Sequence, residues 1–371
     1  MTTRASHLAG LLEVVPFGEP ACLISPDGTP SPAAGLELPP AGELVELYRR
    51  LVTARRFDRL ATTLTRQGRL AVYPSADGQE ACQVGAVLAL RPQDWMFPTY
   101  RETVALITRG IPAGEAMALL RGTWHCGYDP QRWRTAPQCT PLATQALHAV
   151  GLGFAARLKG ERTAVLVFLG DGATSEGDAN VALNFAAVYE VPVVFFIQNN
   201  QYAISVPISK QTKSPTLAHR ALAYGIGGYR VDGNDVVAVR AMVSQLLDEA
   251  RDGGGPAVVE AITYRMEAHT NADDAGRYRP PDEAQAWVER DPLARLEAYL
   301  RSHRILDQAM TDDVAAAAER FASSVRDSLN RDVEPQVADL FRHVYERPTA
   351  LLVAEANALA EELRDTGTEA S

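Results

Sequence analysis

The chain has 371 residues, enough for one large α/β domain or two ordinary ones, and at 46% hydrophobic and 22% charged it has the balance of a soluble globular enzyme. Its 36 basic and 46 acidic residues leave a net charge of −10, with no Lys/Arg block dense enough for nucleic acid or anionic lipid. Cys22, Cys82, Cys126 and Cys139 are scattered without a C-x-x-C pair, no run approaches transmembrane length and no secretory h-region opens the chain. A disulfide framework, a zinc site and a membrane span are therefore not expected, and a cytoplasmic setting is.

Residues 1–42, rich in Pro and Gly, read as an irregular arm that is either disordered or wrapped on a partner subunit. Leu44, Leu47, Leu51 and Val52 open a helix that runs past Phe57 and Leu60. A second helix covers 79–90, stopped before Pro92, and 95–100 reads as a short strand or extended segment. Residues 112–121 are helical and 122–139 loop-like. Residues 144–159 form an Ala/Gly-rich helix. Its Gly151-Leu152-Gly153-Phe154-Ala155-Ala156 superficially fits a dinucleotide fingerprint, but it follows helical rather than strand-like residues, which points to tight helix packing and not to NAD.

Apolar runs at 164–169 and 191–197 read as buried strands joined by a helix over 173–189, long enough for a right-handed crossover. A helix over 236–251, a strand over 257–264 and a polar loop over 269–281 follow, and after Pro292 the pattern is that of amphipathic helices. The fold class is α/β, a mostly parallel sheet flanked by helices. The expected organisation is an arm (1–42), an α/β domain (43–300) and a helical C-terminal extension (301–371).

The first apolar run closes on Gly170-Asp171-Gly172 and the second on Asn199-Asn200. Two adjacent parallel strands would present Asp171 and Asn200 side by side at the crevice where open α/β sheets bind ligands. Carboxylate and amide oxygens suit a hard divalent ion that completes its shell with phosphate and water. Flanking glycines let the backbone approach a phosphate. The residues alone thus describe a Mg²⁺-diphosphate site.

This constellation resembles the thiamine diphosphate-dependent enzymes, whose signature runs from Gly-Asp-Gly to Asn-Asn. The resemblance implies the thiamine diphosphate-binding fold, with Mg²⁺ on Asp171, Asn200 and the backbone carbonyl of Tyr202. It narrows further. The stretch from Gly170 to Asp178, Asn184-Phe185-Ala186-Ala187 and Asn199-Asn200-Gln201-Tyr202-Ala203-Ile204-Ser205 are similar to the α subunit of 2-oxo acid dehydrogenase E1. So are Tyr100-Arg101-Glu102, Pro141-Leu142-Ala143-Thr144-Gln145, Arg230-Val231-Asp232-Gly233-Asn234-Asp235 and Glu260-Ala261-Ile262-Thr263-Tyr264-Arg265. Pro-Leu-Ala-Thr-Gln, Ser-Glu-Gly-Asp and Asp-Gly-Asn-Asp are closer to the branched-chain type than to the pyruvate type.

Tyr100 and Arg101 suit a phosphate on chemical grounds, a hydroxyl donor beside a planar fork of donors. The resemblance implies that they grip the cofactor diphosphate with Gly170, Gly172, Ala173, Gln198 and Arg265 nearby. It puts Thr140 and Leu142 against the thiazolium part and a K⁺ ion, as an optional further cofactor, on Pro141, Thr144 and Gln145. His269 is the candidate catalytic residue, also touching the cofactor, and is preferred over His125 and then over His7, His148, His219, His303 and His343. An imidazole near neutral pKa suits proton management.

Four positions depart from the family pattern. Cys139 and Thr140 stand where serines are common and weaken the K⁺ expectation. Gln198 stands where branched-chain relatives often have Arg. Thr270 replaces a serine that some relatives phosphorylate.

The implied activity is decarboxylation of a branched-chain 2-oxo acid and acyl transfer to the lipoyl domain of an E2 acyltransferase. The implied assembly is an α₂β₂ heterotetramer with an E1 β subunit that carries the activating carboxylate. Alternatives are a pyruvate or acetoin dehydrogenase α subunit and a non-catalytic protein that binds a nucleotide diphosphate at the same edge.

Overall fold

The computed structural model describes residues 18–365 except 32, 34, 331–335 and 343. The start of the arm, His7, His343 and the chain's last residues lie outside the described residues. Five strands, β1 (Trp95–Phe97), β2 (Val165–Gly170), β3 (Val193–Asn199), β4 (Gly227–Asp232) and β5 (Ala257–Ile262), form one all-parallel sheet in the order β1-β2-β3-β5-β4.

The apolar runs that mark β2 and β3 are continuous because both faces of the sheet are covered. Met96, Leu166, Phe168, Val194, Phe196 and Val259 point into one core, while Val165, Val167, Leu169, Val193, Phe195 and Val258 point into the other. That alternation is the period of two expected of a strand. The first core is closed by helices α1 (Ala41–Arg66) and α2 (Glu80–Leu88), the second by α4 (Thr144–Lys159) and α5 (Gly177–Val188). Between these pairs in sequence, α3 (Thr103–Arg109) packs on α2. Gly153, from the apparent dinucleotide fingerprint, lies inside α4, where an added Cβ would stand 2.6 Å from Val191. Close helix–sheet packing accounts for it.

Helix α6 (Val236–Arg251) also packs on the first core and follows the one strand of this sheet that the sequence pattern did not reveal. β4 reads Gly-Gly-Tyr-Arg-Val-Asp, without an apolar run. It is an edge strand, so neighbours on one side stabilise it in place of its own β propensity. Ala21 from the arm forms a parallel bridge with Val231 on the free side, and Leu23 and Ile24 are buried beside it. The described part of the arm, from Gly18, therefore docks on its own sheet.

Two expected helices are shorter than their patterns. The 112–121 stretch splits into single turns, Ala113–Ala116 and Ala118–Arg121, about Met117. The 173–189 helix begins as the 3₁₀ turn Gly172–Ser175, because Thr174 donates both N–H and Oγ1–H to the carbonyl of Asp171, at 3.1 and 2.7 Å. After β5 come α7 (Pro281–Val288), α8 (Pro292–Ser302) and α9 (Gln308–Leu329). Val314, Ala322, Val325 and Leu329 of α9 join the core beneath α1. Among the described residues no helix is long and apolar enough to cross a membrane.

Candidate functional site

A cavity of about 810 Å³ opens at the carboxyl ends of β2 and β3. The register pairs Gly170 with Gln198, so the strands end together and place Asp171 and Asn200 on the same wall. Asp171 is 2% exposed, and burial pushes its carboxyl above the usual carboxylate range against a hydrogen bond from Gln211. That bond, from Nε2 to Oδ2 at 2.5 Å, is the one side-chain donor to it among the described residues. Asn200 accepts from the Tyr202 N–H at Oδ1 (3.2 Å) and donates through Nδ2 to Gln79 (3.1 Å). The turn that carries Tyr202 is strained, with Gln201 at φ +74° and Ile204 at φ +53°, backbone values that accumulate at functional sites.

These groups fit a magnesium-bound diphosphate. One carboxylate with neutral oxygens is a magnesium donor set, and among the described residues no cluster of three or more His, Cys, Asp or Glu side chains offers another metal site. Gly170 borders the cavity, and a Cβ there would meet nothing within 4 Å, leaving space for a ligand. Gly172 answers to a different constraint. A Cβ on it would stand 2.7 Å from the Cβ of Ala203, so its glycine serves protein packing.

Tyr100, Arg101, Thr140, Leu142, Ala173 and Tyr202 also border the cavity, as does His269. The His269 Nδ1 lies 3.1 Å from Nη2 of Arg101 and 3.2 Å from Nη1 of Arg265. A guanidinium only donates, so Nδ1 accepts and the ring proton sits on Nε2, 3.5 Å from the Tyr100 hydroxyl. Burial first, then the charges of Arg101 and Arg265, push the imidazole down to about 3. His269 is a neutral, oriented ring at physiological pH. Its backbone N–H donates to Asp273 (2.8 Å), and the Tyr278 hydroxyl joins Asp273 (2.5 Å) to Arg265 (2.8 Å).

Several expected positions sit differently. Arg265 is fully buried and does not border the cavity. Its guanidinium donates to the carbonyls of Ile204 (2.6 Å) and Tyr202 (3.5 Å), so it reaches the site by positioning His269 and the Tyr202 turn. Arg101 borders the cavity, but it holds the Ser75 carbonyl (2.9 Å) and the His269 carbonyl (3.1 Å) as well as the ring. Gln198 turns its amide nitrogen to Glu102 (2.7 Å), which leaves a buried Oε1 without a partner in place of the donor expected there.

Pro141, Thr144 and Gln145, the K⁺ candidates, lie off the cavity. The Cys139 thiol occupies the Pro141 carbonyl at 3.2 Å, the Thr144 hydroxyl donates to Asp178 at 3.4 Å, and Gln145 donates to the Phe168 carbonyl at 2.8 Å. Gln145 Oε1 is buried and unpartnered, while the Thr144 hydroxyl and the Pro141 carbonyl each keep a lone pair beside the bonds they make. Of the other histidines, His125 lies against Trp124 and His303 stacks on Tyr299.

Gln79, Lys210 and Gln211 border the cavity and were not singled out from the sequence, nor was the apolar wall of Val72, Pro74, Leu119 and Leu120. Only Gln79 had a local signal, a polar residue following Gly78 at a helix start; the rest are brought in by long-range folding.

The family model described as "Dehydrogenase E1 component" matches residues 48–331. The 3-methyl-2-oxobutanoate dehydrogenase subunit alpha of Mycobacterium tuberculosis (strain H37Rv) is 44% identical over 349 residues, covering 94% of this chain and 95% of the relative. The pyruvate dehydrogenase E1 component subunit alpha of Staphylococcus aureus (strain N315) is 36% identical over 305 residues, covering 82% of each.

Proposed function

The chain belongs to the dehydrogenase E1 component family, and we propose that it is the alpha subunit of a branched-chain 2-oxo acid dehydrogenase of the 3-methyl-2-oxobutanoate type. The observation that carries this reading is the pairing of Asp171 and Asn200 at two strand ends with a neutral, oriented His269 across the same cavity. The branched-chain preference is supported by the 44% identity over nearly the whole chain and by an apolar wall suited to an aliphatic side chain.

Thiamine diphosphate, when bound, supplies the electron sink that lets CO₂ leave a 2-oxo acid. Residues 43–300 would hold it. Asp171, Asn200 and the Tyr202 carbonyl would take Mg²⁺; Tyr100, Arg101, Gly170, Gly172 and Gln198 would surround the diphosphate; Thr140, Leu142 and Ala173 would line the thiazolium side. His269 holds a proton on Nε2 and therefore acts first as a donor, while Arg265 sets its orientation. A K⁺ ion near Gln145 rests on one orphaned oxygen.

The beta subunit is expected over the open side of the cavity. Apart from the cavity rim, Val181, Phe185 and Val188 of α5 and Leu158 of α4 are exposed on the helices that cover the second core, Val188 by 66%, a further apolar surface for a subunit to cover. The full reading is an α₂β₂ assembly in the cytoplasm that passes its acyl group to the lipoyl domain of E2.

The 36% identity to a pyruvate dehydrogenase alpha subunit favours a second reading, pyruvate as substrate. Co-expression with the beta chain and comparison of kcat/KM for 3-methyl-2-oxobutanoate and pyruvate separates them. A clear pyruvate preference would overturn the branched-chain assignment. Thermal stabilisation of the α–β pair by a nucleotide with Mg²⁺, but not by thiamine diphosphate, would overturn the cofactor.

A further inference from the structure

We infer that Gln79 belongs to the cofactor-binding set: it orients Asn200 as a metal ligand and donates its own amide N–H to an oxygen of the bound diphosphate. The inference rests on the Mg²⁺–thiamine diphosphate reading and adds a residue to it.

The orientation follows from a chain of donors. Gln79 is fully buried, borders the cavity and sits immediately before α2. Its backbone is held tightly. The preceding Gly78 has φ +87°, and a Cβ on it would lie 2.3 Å from the Tyr264 carbonyl. The Tyr202 N–H can only donate, so the Asn200 atom facing it at 3.2 Å is Oδ1. Nδ2 of Asn200 must then be the atom that meets Gln79, and Gln79 must receive it through Oε1, at 3.1 Å. Both amides are thereby assigned by a backbone donor rather than by choice of flip. Nε2 of Gln79 is left at the opposite end of its amide, buried and without a partner among the described residues.

An unpaired buried donor is costly and is retained where a ligand completes it. Two other amides that border the cavity, Gln198 and Gln211, also have unpartnered atoms, but in both the atom is an oxygen. Gln79 is thus the one buried side-chain donor without a partner among the described residues that border the cavity. Diphosphate oxygens carry charge and only accept. They also share a magnesium ion with its protein ligands, so a side chain bonded to the ligand Asn200 stands next to them. An N–H donated to a charged oxygen is among the stronger hydrogen bonds.

The test uses the assembled α–β enzyme and binding, not turnover. Isothermal titration calorimetry would measure Mg²⁺–thiamine diphosphate and, as a second probe, Mg²⁺ with inorganic diphosphate, for wild type, Gln79→Leu and Gln79→Asn. Gln79→Leu is expected to raise both dissociation constants ten- to a hundredfold, and to raise half-saturating Mg²⁺ at fixed cofactor several-fold. Gln79→Asn keeps the polarity but draws the amide back by one methylene, and should weaken both probes about tenfold. It also carries the test if the leucine variant fails to assemble. Dissociation constants within twofold of wild type in the assembling variants would overturn the assignment. So would weakened thiamine diphosphate with unchanged inorganic diphosphate. Failure of the wild-type enzyme to bind either probe would overturn the cofactor reading itself, and this assignment with it.

Discussion

Asp171 and Asp235 are two buried carboxylates that follow parallel strands, β2 and β4, at the same edge of one sheet, yet their surroundings are opposite. Asp235 accepts four backbone N–H groups, from Leu23 (2.7 Å), Ile24 (2.8 Å), Val237 (3.0 Å) and Ala238 (3.1 Å). It caps α6 and ties the arm to the sheet with every lone pair engaged. Asp171 has one side-chain donor, Gln211, and faces a cavity whose wall holds three amides with an unsatisfied atom. Burial raises both carboxyls, so pKa does not tell them apart. Completeness of hydrogen bonding does. The saturated carboxylate is structural, and the undersatisfied one keeps lone pairs toward the cavity, where the proposed Mg²⁺ would take them.

Exchanging the two effects by mutation would break that contrast. Asp171→Ala should lower cofactor-dependent activity of the α–β enzyme on the order of a thousandfold, equivalent to about 4 kcal/mol. The cofactor-free protein should keep its urea midpoint. Asp235→Ala should do the reverse, losing about 3 kcal/mol in urea unfolding as a helix cap and the arm's anchor go together, with kcat/KM of the folded enzyme nearly unchanged. An unstable Asp171→Ala and an inactive but stable Asp235→Ala would refute the distinction.

A finer probe lies across the cavity. Tyr278→Phe cuts the link from Arg265 to Asp273 that fixes His269, and activity is expected to fall about tenfold, the scale of a lost orienting contact. Thermal stability should hardly move.

The smallest effect is in pH. His269 has its pKa lowered from 6.5 to about 3. Between those values the unfolded chain binds a proton that the folded chain refuses. Stability from this group is therefore full above pH 6.5 and is lost as pH falls towards 3. At pH 5 the loss is about 1 kcal/mol after allowance for solvent screening. His269→Asn should flatten that part of the stability–pH curve, and an unchanged slope between pH 7 and 5 would show that burial and the two guanidiniums do not hold the ring neutral.

Much of this molecule is legible along the chain. The apolar runs of β2 and β3 follow from burial on both faces, and one helix-length spacer is enough to make them adjacent and parallel. Asp171 and Asn200 then meet because each sits just past the end of its strand, and the family motifs add Tyr100, Arg101, Leu142 and His269 to the same cavity. β4 escaped because an edge strand with two glycines has no periodic apolar signal. Arg265, Gln198 and Gln145 were found as residues, but their directions were not, since a donor turns toward whichever acceptor the fold brings near. The saturating and orienting contacts are more distant still: Asn200 meets Gln79 across 121 residues, Asp235 meets Leu23 across 212, and Gln211 reaches Asp171 across 40. Local pattern determines which residues stand at the sheet edge, because strand ends are set by nearby side chains. Which of their polar atoms are satisfied and which remain for a ligand is decided by long-range packing.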